Sequence, residues 1–143
     1  MPADHVSAAR GARRLLVRSI IAGAVTGGGA LGVVTGLLAE AGSGILEGGT
    51  VAVYVAQGFI VGAINGAIIG ALSAYYGGGI WTGGKVGGAL AAGMWFAQML
   101  LTGTIAGTPA PIVAAEVLVM ALAGAAMGAL VGGVVESISP ASH

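Results

Sequence analysis

Four apolar stretches alternate with short polar or glycine-rich breaks along this chain of 143 residues. The clearest is 51–74, VAVYVAQGFIVGAINGAIIGALSA, which runs 24 positions without a charge. Glycine recurs every fourth place, as Gly58, Gly62, Gly66 and Gly70. Residues four apart stack on nearly the same face of a helix, so these glycines form one bare stripe. In water the stripe costs about 1 kcal/mol per glycine relative to alanine. In a bilayer it lets a second helix approach to backbone contact. The pattern predicts a membrane-spanning helix built for close packing.

The other stretches repeat the device. Residues 19–38 carry Gly28, Gly32 and Gly36; residues 86–105 follow Gly84 and contain Gly88 and Ala92; residues 112–135 carry Gly124, Gly128 and Gly132. Each is about 20 residues or longer, enough to cross ~30 Å of hydrocarbon. The expected fold class is all-α, an integral membrane four-helix bundle with glycine-zipper packing. A basic leader (1–18), a single four-span domain (19–136) and a short tail (137–143) make up the expected organisation.

The breaks fit that scheme. Residues 40–50 read as a loop carrying Glu40 and Glu47, and Pro109 and Pro111 mark a sharp helix start. Tyr75, Tyr76, Trp81 and Lys85 cluster at a span end, as in an interfacial belt. Arg10, Arg13, Arg14 and Arg18 precede the first span. By the positive-inside rule this puts both termini and Lys85 in the cytoplasm, and the Glu40/Glu47 loop outside. A nucleic-acid arm is the other reading of the arginines, with no further residue to support it. Ala39-Glu40-Ala41 also has the form of a signal cleavage site, although residues 19–38 run longer than a 7–15-residue signal core.

Composition makes lipid the expected solvent. The chain is 57% hydrophobic and 7% charged with a mean hydropathy of +1.00, against about 25% charged residues in ordinary soluble domains. Zero net charge gives no bulk attraction to nucleic acid. Richness in Ala, Gly and Val, with Arg favoured over Lys, points to a GC-rich genome and a bacterial inner membrane.

A weak internal echo links the second and fourth spans. Residues 62–70, GAINGAIIG, match 124–132, GAAMGALVG, 62 positions later. Two spans running the same way and alike in sequence suggest a parallel duplication of a hairpin; glycine and alanine bias is the plainer explanation.

Candidate chemistry is sparse. With no cysteine, and with His5 and His143 at the two ends, the chain has no Ser/His/Asp set and no metal-ligand cluster. Gly84-Lys85 is followed by Val86 where a phosphate-binding loop needs Ser or Thr. No enzymatic activity, metal or cofactor is expected. Four intramembrane polar residues remain: Gln57, Asn65, Gln98 and Glu116. At a rise of 1.5 Å per residue, Gln57, Gln98 and Glu116 fall at one depth, roughly 6–11 Å below the outer edge, with Asn65 nearer the midplane.

Two roles fit Glu116. It is either a proton- or cation-handling acid shelled by the glutamines or a headgroup-level acid favoured by its helix N-terminus. The amides suit interhelical hydrogen bonds. Two functions follow: a structural or oligomerising component of a membrane assembly acting through glycine-zipper helix packing, or a small channel, holin-like pore or proton-coupled transporter using the Gln57/Gln98/Glu116 layer. The expected partners are the lipid bilayer and further copies of the chain or other membrane subunits, not nucleic acid.

Overall fold

In a computed structural model of the chain, the backbone is described for residues 2–43 and 48–139, and side chains for 9–37 and 51–139. The described residues are almost wholly helical. Helix α1 spans Pro2–Ser43, α2 Gly48–Tyr75, α3 Ile80–Leu101 and α4 Ala110–Ile138, with one 3-10 turn at Thr104–Gly107.

The helix ends follow local chemistry. Between α2 and α3 the backbone runs through Gly77, Gly78 and Gly79 at φ 93°, 74° and 97°. Gly79 is the N-cap of α3 with ψ 159°, a region that only glycine occupies without strain. Gly79→Ala is expected to cost about 1–3 kcal/mol, read as a lowered unfolding midpoint at unchanged helicity. Gly103, left-handed at φ 72°, ends α3. Pro109 caps α4, and Pro111 in its first turn gives up an N–H that has no helical partner there anyway.

Several boundaries differ from the expectation. The basic leader is not set apart in the backbone, because 2–43 form one helix of 42 residues, about 63 Å long. Nothing between Arg18 and Ser19 breaks a helix, and no proline follows Pro2 until Pro109. The expected loop at 40–50 shrinks from both sides, and Glu47 lies outside the described residues. The third span was expected at 86–105; α3 begins six residues earlier, where the glycine turn ends, and stops before Gly103. The fourth element, expected at 112–135, begins two residues earlier and runs three residues further. Of the tail, 140–143 lie outside the described residues.

The four helices pair as two antiparallel hairpins, α1 with α2 and α3 with α4, which touch through α1–α4, α2–α3 and α2–α4. Within each hairpin, glycine faces backbone. A Cβ placed on Gly66 would run into Gly23 O, one on Gly62 into Gly27 O, and one on Gly70 into Ser19 O. The second hairpin repeats this set: Gly128 against Gly83 O, Gly124 against Gly87 O, Gly132 against Gly79 O. These partners correspond one to one, 60 positions apart in α1 and α3 and 62 apart in α2 and α4. The echo between spans two and four therefore extends to whole hairpins, with matched contacts. Composition bias produces glycines but not matched registers, so the contacts favour the duplication. The interhairpin contacts fit a pseudo-two-fold axis between α2 and α4, since exchanging the hairpins maps α1–α4 onto α3–α2.

The core on that axis is thin. Ile69 corresponds to Val131 and Ser73 to Val135, and all four are buried. Ala74, Val86 and Leu90 complete the cluster. Glycine contacts leave no room for bulk between the helices, so large side chains point outward: Val25, Val33, Phe59, Ile64, Leu118 and Leu122 are all exposed. Three helices are long and apolar enough to cross a membrane, within Ala9–Leu37, Val51–Tyr75 and Ala110–Ile138. Helix α3, at 22 residues, is about 33 Å long but carries Lys85 and Gln98 among its glycines. The chain is a small helical membrane protein.

Candidate functional site: a polar pocket and a cavity between the hairpins

The antiparallel pairing places Arg10–Arg18, Tyr75, Tyr76, Trp81 and Lys85 toward one end of the bundle, the basic end. Glu116 and Gln98 lie toward the other, distal end. The two hairpins diverge most at the distal end. In the first hairpin, Gly58 and Gly32 keep α1 and α2 close, and Thr35 Oγ1 lies 3.0 Å from Tyr54 O across the pair. In the second, the positions of Gly32, Gly36 and Gly58 are taken by Ala92, Phe96 and Met120. Trp95 stands where Thr35 does, and Glu116 where Tyr54 does. Larger side chains stand in place of glycine and threonine, and a pocket of about 390 Å³ lies by the distal ends of α3 and α4.

Trp95, Gln98, Glu116, Thr102, Thr104 and Thr108 all contribute to its wall. The threonine hydroxyls have spent their protons on the chain. Thr102 donates to Gln98 O at 2.8 Å, Thr108 to Thr104 O at 2.8 Å, and Thr104 to Met99 O at 3.3 Å or to Thr102 Oγ1 at 3.0 Å. Their lone pairs and the Glu116 carboxylate remain. The Trp95 indole N–H and the Gln98 amide add donors, but the one charged group on the wall is the Glu116 carboxylate, and no basic side chain lines it.

A second space of about 300 Å³ lies between the hairpins and touches all four helices. It shares Trp95 and Gln98 with the polar pocket and is otherwise mostly apolar, with Leu31, Ile69, Met94 and Met127 in its wall. Asn65 reaches it from α2. Asn65 Oδ1 and Trp95 Nε1 are both buried without a hydrogen-bond partner, a deficit of about 1–3 kcal/mol each.

Of the residues singled out from the sequence, Gln98 and Glu116 come together, and Asn65 joins the adjoining cavity. Gln57 does not meet them: it is exposed and lines neither space. Equal depth fixes one coordinate only. Gln57 sits one residue, about 100° of helix turn, from Gly58, and Gly58 is the residue that faces α1. The sequence reading missed Trp95 and the three threonines, Thr102, Thr104 and Thr108. Their nearness in sequence to Gln98 was the available signal.

The stripe glycines divide. Gly58, Gly62, Gly66, Gly70, Gly124, Gly128 and Gly132 all meet the facing helix closely. Gly28 lies against Phe59, Gly32 and Gly36 against Val55, and Gly88 against Ala121 O at 3.0 Å. Gly84 is looser, 3.5 Å from Ala125 O. Gly23, Gly27, Gly83 and Gly87, which no expected stripe included, make the tightest approaches on α1 and α3.

At the basic end, Arg10, Arg13, Arg14 and Arg18 line one open face of α1 with Val17. Among the described residues no three His, Asp or Glu side chains gather into a metal-binding group. The chain matches no known protein family, no curated protein and no solved structure.

Proposed function

We propose that the chain is a four-span membrane protein of the bacterial inner membrane type, with both termini cytoplasmic, that serves as a structural, oligomerising component of a membrane assembly. One observation supports this reading: the stripe glycines meet the backbone of the facing helix within the monomer, and bulk is displaced to its surface. Two hairpins held by backbone contact form a thin, stiff unit whose outer ridges are apolar on every helix. Such ridges match lipid and the ridges of neighbouring copies. Self-association then uses the outward faces of the helices and not the glycine stripes, which are already occupied.

The basic face of α1 and the aromatic residues beside it support the assigned orientation. The partners are lipid and further copies of this chain or other membrane subunits; no enzymatic role, cofactor or nucleic-acid contact is part of the proposal. Purified in mild detergent, the protein is expected to give a discrete mass above the monomer by light scattering. A strictly monomeric species at all detergent ratios would remove the oligomerising role.

A second reading, a small channel, holin-like pore or proton-coupled transporter, is favoured by the pocket that joins Gln98 and Glu116. It runs without Gln57. Proton or cation flux into liposomes that Glu116→Gln abolishes would support it; an absence of flux from the unaltered protein would end it.

A further inference from the structure

We propose that the polar pocket and the cavity beside it form one binding site for a lipophilic primary ammonium ion. The ammonium head sits among the acceptors of the polar pocket, and the alkyl tail lies between the hairpins. This inference depends on the membrane setting of the chain but not on its role in an assembly.

The head group follows from the hydrogen-bond count. Each threonine hydroxyl at the pocket already donates to the chain, so it offers a visitor only lone pairs. Glu116 adds a carboxylate, and the arginines and Lys85 lie toward the opposite end of the bundle. A group that brings three donors and a positive charge satisfies this wall. An anion is repelled by the carboxylate, and a neutral acceptor such as a ketone could use the Trp95 and Gln98 donors but would leave that carboxylate without a counter-charge. The indole of Trp95 stands in the same wall, where its face can hold a cation.

The tail follows from the neighbouring space. A small hydrophilic cation would fill the pocket and leave about 300 Å³ of mostly apolar cavity unused. Trp95 and Gln98 form the partition between the two spaces, and no hydrogen bond pins the indole, since Nε1 has no partner. Turning that side chain gives one continuous site, polar at Glu116 and apolar toward Asn65. The duplication makes the same point. In the first hairpin Thr35 Oγ1 donates to Tyr54 O; the second has Trp95 and Glu116 at those positions, and both stand in the wall of the pocket.

The test uses Trp95 as its reporter. Trp81 is exposed on the first turn of α3, outside the site, so Trp81→Phe leaves Trp95 as the sole tryptophan. Octylammonium, titrated into this variant in mild detergent, is expected to change Trp95 emission saturably. Octanol should bind about tenfold more weakly or worse, the margin that one charged hydrogen-bonded contact provides. Butylammonium, with the same head and a short tail, should also bind more weakly, and Glu116→Gln should erase the preference for the amine.

Equal affinity for octylammonium and octanol in the unaltered site would overturn the head assignment, and that comparison stands even if Glu116→Gln fails to fold. Equal affinity for butylammonium would overturn the tail assignment. A response no different from that of Trp95→Phe, where only Trp81 reports, would overturn the site itself.

Discussion

Gly66→Leu is expected to force the first hairpin apart, and Gly128→Leu the second. At both positions even a Cβ atom would run into the carbonyl of the facing glycine, Gly23 or Gly83. Backbone cannot turn aside as a side chain can, so the helices must separate along their whole contact. Overpacking of a tight interior costs about 1–3 kcal/mol in ordinary cores, and a leucine against backbone belongs at or beyond the top of that range. Because the contacts correspond between hairpins, the two substitutions should cost similar amounts. Gly29→Ala and Gly93→Ala are the controls, since an added Cβ there meets nothing within 4 Å. At those sites helix propensity alone predicts a gain of up to about 1 kcal/mol. Denaturant unfolding in detergent, followed by helicity, separates the two classes.

The second large effect concerns orientation. The arginines occupy one open face of α1, and Lys85 is exposed toward the same end of the bundle. If that end is cytoplasmic, replacing Arg10, Arg13, Arg14 and Arg18 with glutamine removes nearly all of the basic bias. The expected result is a mixed or inverted topology, detected by reporter fusions at the C-terminus. Retention of a single, unchanged orientation would show that the arginines do not set it.

The amino-acid pattern made the helical class and the membrane setting legible, because both depend on long apolar runs and little else. It also marked α2 and α4 as carriers of glycine stripes. It failed at relations between helices. Gly23 and Gly27 face Gly66 and Gly62, yet Leu31 interrupts their four-residue run, and the register of an antiparallel pair cannot be read from one strand of it. The same blindness split the expected polar layer. Gln98 and Glu116 share a pocket because α3 and α4 are partners, whereas Gln57 lies on an exposed part of α2. Trp95 carries no polar signal in the sequence as a site residue, although its counterpart, Thr35, donates to Tyr54 O in the other hairpin. Departures from the repeat, once the repeat is known, point to the site more directly than polarity does.

Two hairpins locked by glycine contacts in matched register are the centre of this account, and engineered disulfides test them most directly. The chain has no cysteine, so any bond formed is the designed one. A Cβ on Gly32 would stand 3.4 Å from Phe59 Cβ, and one on Gly84 would stand 3.8 Å from Ala129 Cβ, close to the ~3.8 Å mean of natural disulfides. Oxidation in native membranes is expected to link Gly32→Cys with Phe59→Cys, and Gly84→Cys with Ala129→Cys, nearly completely. Gly93→Cys paired with Ala129→Cys should stay reduced. Failure of both designed pairs, or equal linking of the control, would contradict the account.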